Sequence, residues 1–173
     1  MSLSLYQTSV PAFVRALNIL STLLDKGRDH AQANGTDLAT MVNARLAPDM
    51  YTLAGQVQSA SDAAKSGTAR LAGLPPPSFP DTETTFDELQ ARIAKTLDFM
   101  ATVSKDQIDG KANGVTVKLG GQERTFTSEA YLLGFVLPNF YFHITAAYAI
   151  LRSQGVKLGK MDYLGSFESL AGG

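Results

Sequence analysis

Cysteine is absent from the 173 residues of this chain, and histidine occurs only twice. The lack of cysteine excludes disulfide bonds, thiolate metal sites and cysteine nucleophiles. Neither sign of charge dominates, because 15 basic and 16 acidic residues leave a net charge of −1. Since nucleic-acid binding needs a basic surface, this balance predicts no nucleic-acid partner.

Long hydrophobic runs are absent as well. Every unbroken apolar stretch ends well short of the roughly 18 residues needed to cross a membrane, so we expect no membrane span or membrane partner. The first apolar segment contains Arg15 and has no basic segment before it, which predicts that there is no secretory signal. The expected location is therefore the cytoplasm.

The composition is that of an ordinary soluble protein, with 45% hydrophobic and 18% charged residues. A chain of this length is expected to form one domain over residues 1–173. Such a domain buries about two-thirds of its unfolded surface and needs no disulfide or structural metal to fold. From about residue 156 onwards the sequence is rich in glycine and predicts an irregular tail.

Apolar residues that recur every three or four positions predict four long helices. Thr85 and Glu88 have the spacing of a capping box at the start of the third, and Gly35 and Gly155 mark the ends of the first and last. The expected helices cover residues 5–33, 49–71, 85–103 and 128–153.

Other signals interrupt this helical pattern. Pro11 is expected to kink or restart the first helix, and Pro138 to bend the last one. Apolar residues that alternate with polar ones before the glycine pair 120–121, followed by the segment 122–126, predict a two-stranded hairpin within residues 109–126. The sequence thus predicts an all-α fold, an up-down four-helix bundle with a small β-hairpin inserted before the last helix.

Several segments of the chain carry a family resemblance. They read LAPDM at 46–50, QVQSASDAAK at 56–65, ARLAG at 69–73, TFDELQARIAKTLDF at 85–99, LPNFYFHITAAYAILRSQGV at 137–156 and DYLG at 162–165. In these segments the chain resembles the DinB/YfiT-like four-helix-bundle superfamily and, within it, a bacterial family of unknown function. The resemblance covers nearly the whole chain.

The resemblance implies a divalent metal held by three histidines, with one on the second helix and two on the last helix in the spacing HxxxH. Members that carry this triad include thiol-dependent transferases. Here His143 matches the second histidine of HxxxH, and Asn139 matches the first. Ala63 stands in the segment SDAAK, where the resemblance would place the third. This comparison implies a degenerate metal site in which His143 is the one remaining metal ligand.

A polar pocket between the second and last long helices is the candidate site. Its expected residues are His143, Asn139, Tyr141, Asp49, Gln56 and Asp62. Two interpretations of His143 remain open at this point. It can be a core histidine bonded to a polar group of the second long helix, or a residual metal ligand or base.

The sequence leaves two functional hypotheses and does not decide whether the protein is an enzyme. The first is a non-catalytic binding or stress-related module that lacks the full metal triad, with no cofactor and a possible small-molecule ligand. The alternative is a metal- or thiol-dependent transferase-like enzyme that uses His143. The first and last helices carry more apolar residues than a bundle core needs, which predicts a homodimer.

Overall fold

A computed structural model of the protein describes residues 3–111 and 114–167, with the side chain of Leu119 left out of the description. Its elements, in chain order, are α1 (Leu5–Asn34), α2 (Leu38–Val42), α3 (Leu53–Leu71), α4 (Phe86–Ala101), α5 (Lys105–Asp109), β1 (Val115–Leu119), β2 (Gln122–Phe126), the last long helix (Ser128–Ser153) and a short C-terminal helix (Lys160–Leu164). The last of these lies in the segment expected to be irregular.

Four long helices form the bundle that the sequence predicts. The last long helix packs against α3, α3 also packs against α4, and α1 closes the ring by contacting both α4 and the last long helix. The last long helix runs antiparallel to α3, because His143 pairs with Gln56 and Tyr131 pairs with Arg70. The antiparallel hairpin of β1 and β2 precedes this helix, as expected.

Local signals set most of the helix boundaries. The capping box of Thr85 and Glu88 is formed at the start of α4, and Gly35 ends α1 with a positive φ of 66°. No restart occurs at Pro11, because α1 continues through it as one helix. The proline lies near the beginning of α1, so only one early backbone hydrogen bond is lost.

Helix α3 begins at Leu53. The sequence predicts an earlier start, at residue 49. Thr52 is its N-cap, and the Thr52 hydroxyl accepts a hydrogen bond from the Gly55 backbone N–H at 3.1 Å. Asp49 therefore lies before the helix, in an exposed turn, and does not contribute to its first turn. A threonine cap of this kind satisfies a free N–H group of the first turn, which fixes the start of the helix.

Pro138 produces a π-helical turn at Leu132–Val136 within the last long helix. Because proline has no N–H, it cannot donate to the carbonyl of Gly134 four residues earlier. The N–H of Leu137 donates instead to the carbonyl of Leu132, five residues earlier. The sequence predicts a bend here, but the helix accommodates one extra residue in a wider turn.

Gly67 of α3 makes room for this wide turn. A Cβ atom built at Gly67 would lie only 2.6 Å from Cγ1 of Val136, which is too close for any side chain. The absence of a side chain at this position therefore lets the π-helical turn approach the backbone of α3. This contact brings the last long helix against α3 at the place where the candidate site opens.

The last long helix is also the most apolar part of the chain. Among residues 3–111 and 114–167 it is the one helix that is long and apolar enough to cross a membrane, by length and composition only. It packs in the bundle core through buried residues that include Phe140, Ile144 and Ile150. Core helices of soluble proteins have the same character, so length and composition alone are weak evidence for a span.

A buried arginine fastens the proline-rich loop between α3 and α4. The side chain of Arg92 is 1% exposed and forms ion pairs with Asp62 at 2.7 Å, Asp81 at 3.0 Å and Glu83 at 3.1 Å. It also donates a hydrogen bond to the Pro80 carbonyl at 3.1 Å. Lys65, another buried cation, pairs with Asp62 at 2.8 Å. We call these five charged side chains the Arg92 cluster.

The ring of Phe79 covers the Arg92 cluster. Its centroid lies 4.9 Å from Nζ of Lys65, 5.9 Å from the guanidinium carbon of Arg92 and 4.1 Å from Nζ of Lys95. Cations over an aromatic face are attracted by its negative quadrupole. The loop, which has no regular secondary structure, is therefore held to α3 and α4 by its carboxylates Asp81 and Glu83 and by the Phe79 ring.

Candidate functional site

A pocket of about 300 Å³ opens between α3 and the last long helix, at the level of the π-helical turn. It is lined by Tyr51, Ser59, Asp62, Ala63, Ser66, Arg70, Tyr131, Phe135, Val136, Asn139 and His143. We call it the His143 pocket. Three of the six candidate residues from the sequence, His143, Asn139 and Asp62, contribute directly to its wall.

His143 lies at one end of this pocket and is 8% exposed. Its Nδ1 is 2.8 Å from Oε1 of Gln56. The Nε2 group of Gln56 faces the Tyr51 carbonyl at 3.4 Å, so the amide oxygen is the atom that faces the imidazole. An amide oxygen can only accept, so Nδ1 carries the proton and donates it to Gln56. The sequence-based interpretation of a buried histidine bonded to the second long helix is confirmed.

This hydrogen bond fixes the chemistry of the imidazole. Burial lowers the pKa of His143 below its usual value, so the ring is neutral at neutral pH. In the tautomer set by Gln56, the lone pair is on Nε2, which has no hydrogen-bond partner among the residues that the structure describes. His143 therefore gives the pocket a hydrogen-bond acceptor that is also a weak base.

Two aromatic rings hold the imidazole in place. Tyr51 stacks on His143 with centroids 6.4 Å apart and an interplanar angle of 19°. Phe142 meets the imidazole edge to face, with centroids 5.3 Å apart. Tyr51 is 61% exposed, and its outer side faces solvent while its inner side faces the imidazole. It therefore covers the imidazole in part. The side chain is thus oriented by one hydrogen bond and two ring contacts.

All three positions that the resemblance associates with metal ligands meet in the His143 pocket. Ala63 of α3 and Asn139 and His143 of the last long helix line the same pocket. They present a methyl group, an amide and an imidazole. A catalytic zinc needs about three protein ligands, usually histidine, cysteine or carboxylate. These three side chains do not fit that requirement.

Asp62 does not supply the missing ligand. Its Oδ1 already accepts from Lys65 at 2.8 Å and from Arg92 at 2.7 Å, so the carboxylate belongs to the Arg92 cluster. Within the described parts of the chain, no three His, Cys, Asp or Glu side chains converge in a group that could hold a metal ion. The side chains present therefore do not fit the metal that the resemblance implies.

The structure places the other candidates outside the pocket wall. Gln56 lies behind His143 and orients it. Asp49 is exposed in the turn before α3 and does not line the pocket. Tyr141 lies elsewhere on the last long helix, where partial burial and the neighbouring Tyr163 raise the pKa of its hydroxyl. Tyr141 faces away from the pocket because it lies about 200° around the helix axis from His143.

Several polar residues of the pocket belong to no catalytic or ligand-binding motif. Ser59, Ser66 and Arg70 recur along α3 on the face that contains Asp62, which is the only signal that could have indicated them. Arg70 donates a hydrogen bond from Nη1 to the hydroxyl of Tyr131 at 3.1 Å. This pair forms the end of the pocket opposite His143.

Comparison with known proteins places the chain in a family. Residues 5–164 match the family described as Domain of unknown function (DUF1993). A solved structure, the crystal structure of a DinB family member protein from Shewanella denitrificans, is 38% identical, with a TM-score of 0.88. The match covers 95% of this chain and 93% of that one. No curated protein matched significantly. The chain therefore belongs to the DUF1993 family, a group of unknown function with the DinB-like fold.

Proposed function

We propose that this protein is a non-catalytic binding or stress-related module of the bacterial cytoplasm, which holds a small molecule in the His143 pocket and lacks the full metal triad. One observation carries the proposal: polar groups converge there without partners among the described residues. They are the Asn139 amide, the Ser59 and Ser66 hydroxyls and Nε2 of His143. A concave site with a few convergent polar groups is typical of ligand binding.

The substitutions at the metal-ligand positions support binding over metal chemistry. Ala63 and Asn139 remove two imidazoles from the implied triad, and the remaining His143 is fixed by Gln56. A neutral imidazole held in this way is a good hydrogen-bond acceptor for a ligand. The proposal therefore assigns His143 a recognition role.

The proposal is tested by a small-molecule screen with a pocket-filling variant. Compounds that raise the melting temperature of the wild-type protein should lose this effect in Ala63→Phe, because the added ring occupies the His143 pocket. Tyr141→Phe, on the last long helix and outside the pocket lining, serves as the control and should keep the effect. Compounds that stabilise Ala63→Phe and the wild-type protein equally would place the binding site elsewhere.

The alternative function is a metal- or thiol-dependent transferase-like enzyme that uses His143. The hydrogen bond from Nδ1 to Gln56 favours this alternative, because ligand histidines and general bases are commonly oriented by such a bond. Elemental analysis of the tag-free protein separates the two functions. We expect no stoichiometric transition metal, and about one zinc, nickel or iron per chain would support the enzyme instead.

We also propose that the protein is a homodimer that uses the exposed side of the last long helix. Large apolar side chains of this helix are exposed, among them Leu133 at 61% and Phe142 at 57%. Light scattering coupled to gel filtration should give twice the 18.5 kDa chain mass. Leu133→Glu should lower this mass, whereas Met161→Glu, at a 60% exposed position on the short C-terminal helix, should not. A wild-type mass of one chain contradicts the proposal.

A further inference from the structure

The end of the His143 pocket opposite the imidazole carries a cation without an anionic partner. Arg70 lines the pocket, and within residues 3–111 and 114–167 no carboxylate lies within ion-pair distance of its guanidinium. Its side chain donates to the Tyr131 hydroxyl, which is neutral. Because this hydroxyl accepts from Arg70, its own hydrogen is left to donate into the pocket.

The one acid that lines the pocket is already neutralised. Asp62 pairs with both Lys65 and Arg92, which are buried cations of the Arg92 cluster. His143 donates from Nδ1 to the amide oxygen of Gln56 at 2.8 Å and presents the lone pair of Nε2 to the pocket. The remaining formal charge of the lining is therefore the positive charge of Arg70. Such a site favours an anion, and a guanidinium presents paired N–H donors that match the geometry of a carboxylate.

We propose that the ligand of the His143 pocket is a small, elongated carboxylate with a hydrogen-bond donor at its other end. The carboxylate binds to the Arg70 guanidinium and the Tyr131 hydroxyl, and the donor binds to Nε2 of His143. This inference rests on the proposed binding function and names the chemical class of its ligand. Asn139, between the two ends, is placed to pair with a polar group in the middle of the ligand.

The shape of the pocket requires an elongated ligand. Gln56, the partner of His143, and Arg70 are separated by about 21 Å along α3, because an α-helix rises about 1.5 Å per residue. The arginine side chain shortens this gap, since side chains on a helix extend towards its N-terminus. Because its lining extends along α3 from Ser59 to Arg70, the pocket of about 300 Å³ is an elongated trough between the two ends.

Three matched probes test the ligand class by calorimetric titration: 8-hydroxyoctanoate, octanoate and 1,8-octanediol. We expect 8-hydroxyoctanoate to bind about tenfold or more tightly than the diol, which lacks the carboxylate. It should also bind more tightly than octanoate, which lacks the donor for His143. Equal affinities for 8-hydroxyoctanoate and the diol would overturn the inference, as would a failure of all three probes to bind.

Variants then assign each preference to one end of the pocket. Arg70→Gln should remove the preference for 8-hydroxyoctanoate over 1,8-octanediol and keep the preference for 8-hydroxyoctanoate over octanoate. His143→Phe should remove the preference over octanoate and keep the preference over the diol. Arg28→Gln is the control, since Arg28 of α1 is outside the pocket lining and already pairs with carboxylates. Melting curves confirm that each variant is folded.

One outcome separates the inference from the function on which it rests. If 1,8-octanediol binds and Ala63→Phe abolishes its binding while neither carboxylate binds, the His143 pocket is a ligand site and the carboxylate inference is wrong. If Arg70→Gln keeps the full preference for 8-hydroxyoctanoate over the diol, Arg70 does not bind the carboxylate, and the inference is again rejected.

Discussion

Replacing Arg92 with methionine is expected to lower the free energy of unfolding by about 3 kcal/mol, the lower end of the range for breaking a buried ion pair. The side chain of Arg92 is 1% exposed, and its removal leaves Glu83, 13% exposed, without its cation. The estimate is at the lower end because Asp62 and Asp81 are about half exposed and keep some hydration. Urea denaturation measures the change.

Arg28 provides a matched control, because it also pairs with three carboxylates. Its partners are Asp25, Asp29 and Asp87, whose side chains are 47%, 71% and 88% exposed. Exposed pairs contribute between about 0 and 1 kcal/mol, so Arg28→Met should change the stability by less than about 1 kcal/mol. Similar losses for the two variants would show that the Arg92 cluster does not behave as a buried group.

The stabilisation by Arg92 should also depend on pH. Burial opposes the ionisation of Glu83, but hydrogen bonds from Gln58 and Arg92 and the charge of Arg92 outweigh this effect and lower its pKa. A lowered folded-state pKa stabilises the protein above the usual glutamate value, and the effect is lost as the pH falls through the folded pKa. The difference between the wild-type protein and Arg92→Met should therefore be smaller at about pH 3 than at about pH 7.

Replacing Phe140 with alanine is expected to lower the free energy of unfolding by about 3–5 kcal/mol, as large-to-small changes in a packed core do. Phe140 is 0% exposed and meets Phe13 of α1 edge to face, with centroids 5.0 Å apart. This contact ties α1 to the last long helix. The loss combines removed apolar contacts with a cavity that the rigid bundle cannot fill.

Met161, on the short C-terminal helix, is the control for Phe140. It is 60% exposed, so Met161→Ala should change the stability by less than about 1 kcal/mol. Thermal or urea denaturation of both variants under one set of conditions gives the comparison. A larger loss for Met161→Ala than for Phe140→Ala would mean that Phe140 does not belong to the packed core described here.

The architecture was predictable because its signals are local. Apolar periodicity gave four helices, and short-range side-chain hydrogen bonds such as Thr85 with Glu88 set their ends. The same reasoning placed the start of α3 too early, since Asp49 and Thr52 are both good caps and only the fold selects Thr52. The π-helical turn was also missed, because a proline in a helix predicts a disturbance without fixing its form.

The site was predictable only in part, because it depends on contacts between distant segments. His143 stood out as a histidine in an apolar helix, and its polar partner on the second long helix was expected. Arg70 and Tyr131 carry no motif, and they become a pair only when α3 and the last long helix pack antiparallel. Arg92 likewise looks like an ordinary surface residue until the proline-rich loop brings Asp81 and Glu83 over it.

The π-helical turn sets how far Tyr131 is rotated from His143 around the axis of the last long helix. These two residues lie at opposite ends of the pocket. In a regular α-helix, Tyr131 and His143 would differ by about 120° around the axis, because each residue advances about 100°. A wide turn absorbs one residue, which reduces the difference to about 20° and puts both side chains on one face. A single-residue deletion within Leu132–Val136 that restored regular winding would therefore keep the two side chains about 20° apart. Regular winding with every residue retained would instead turn His143 away from the surface that Tyr131 faces.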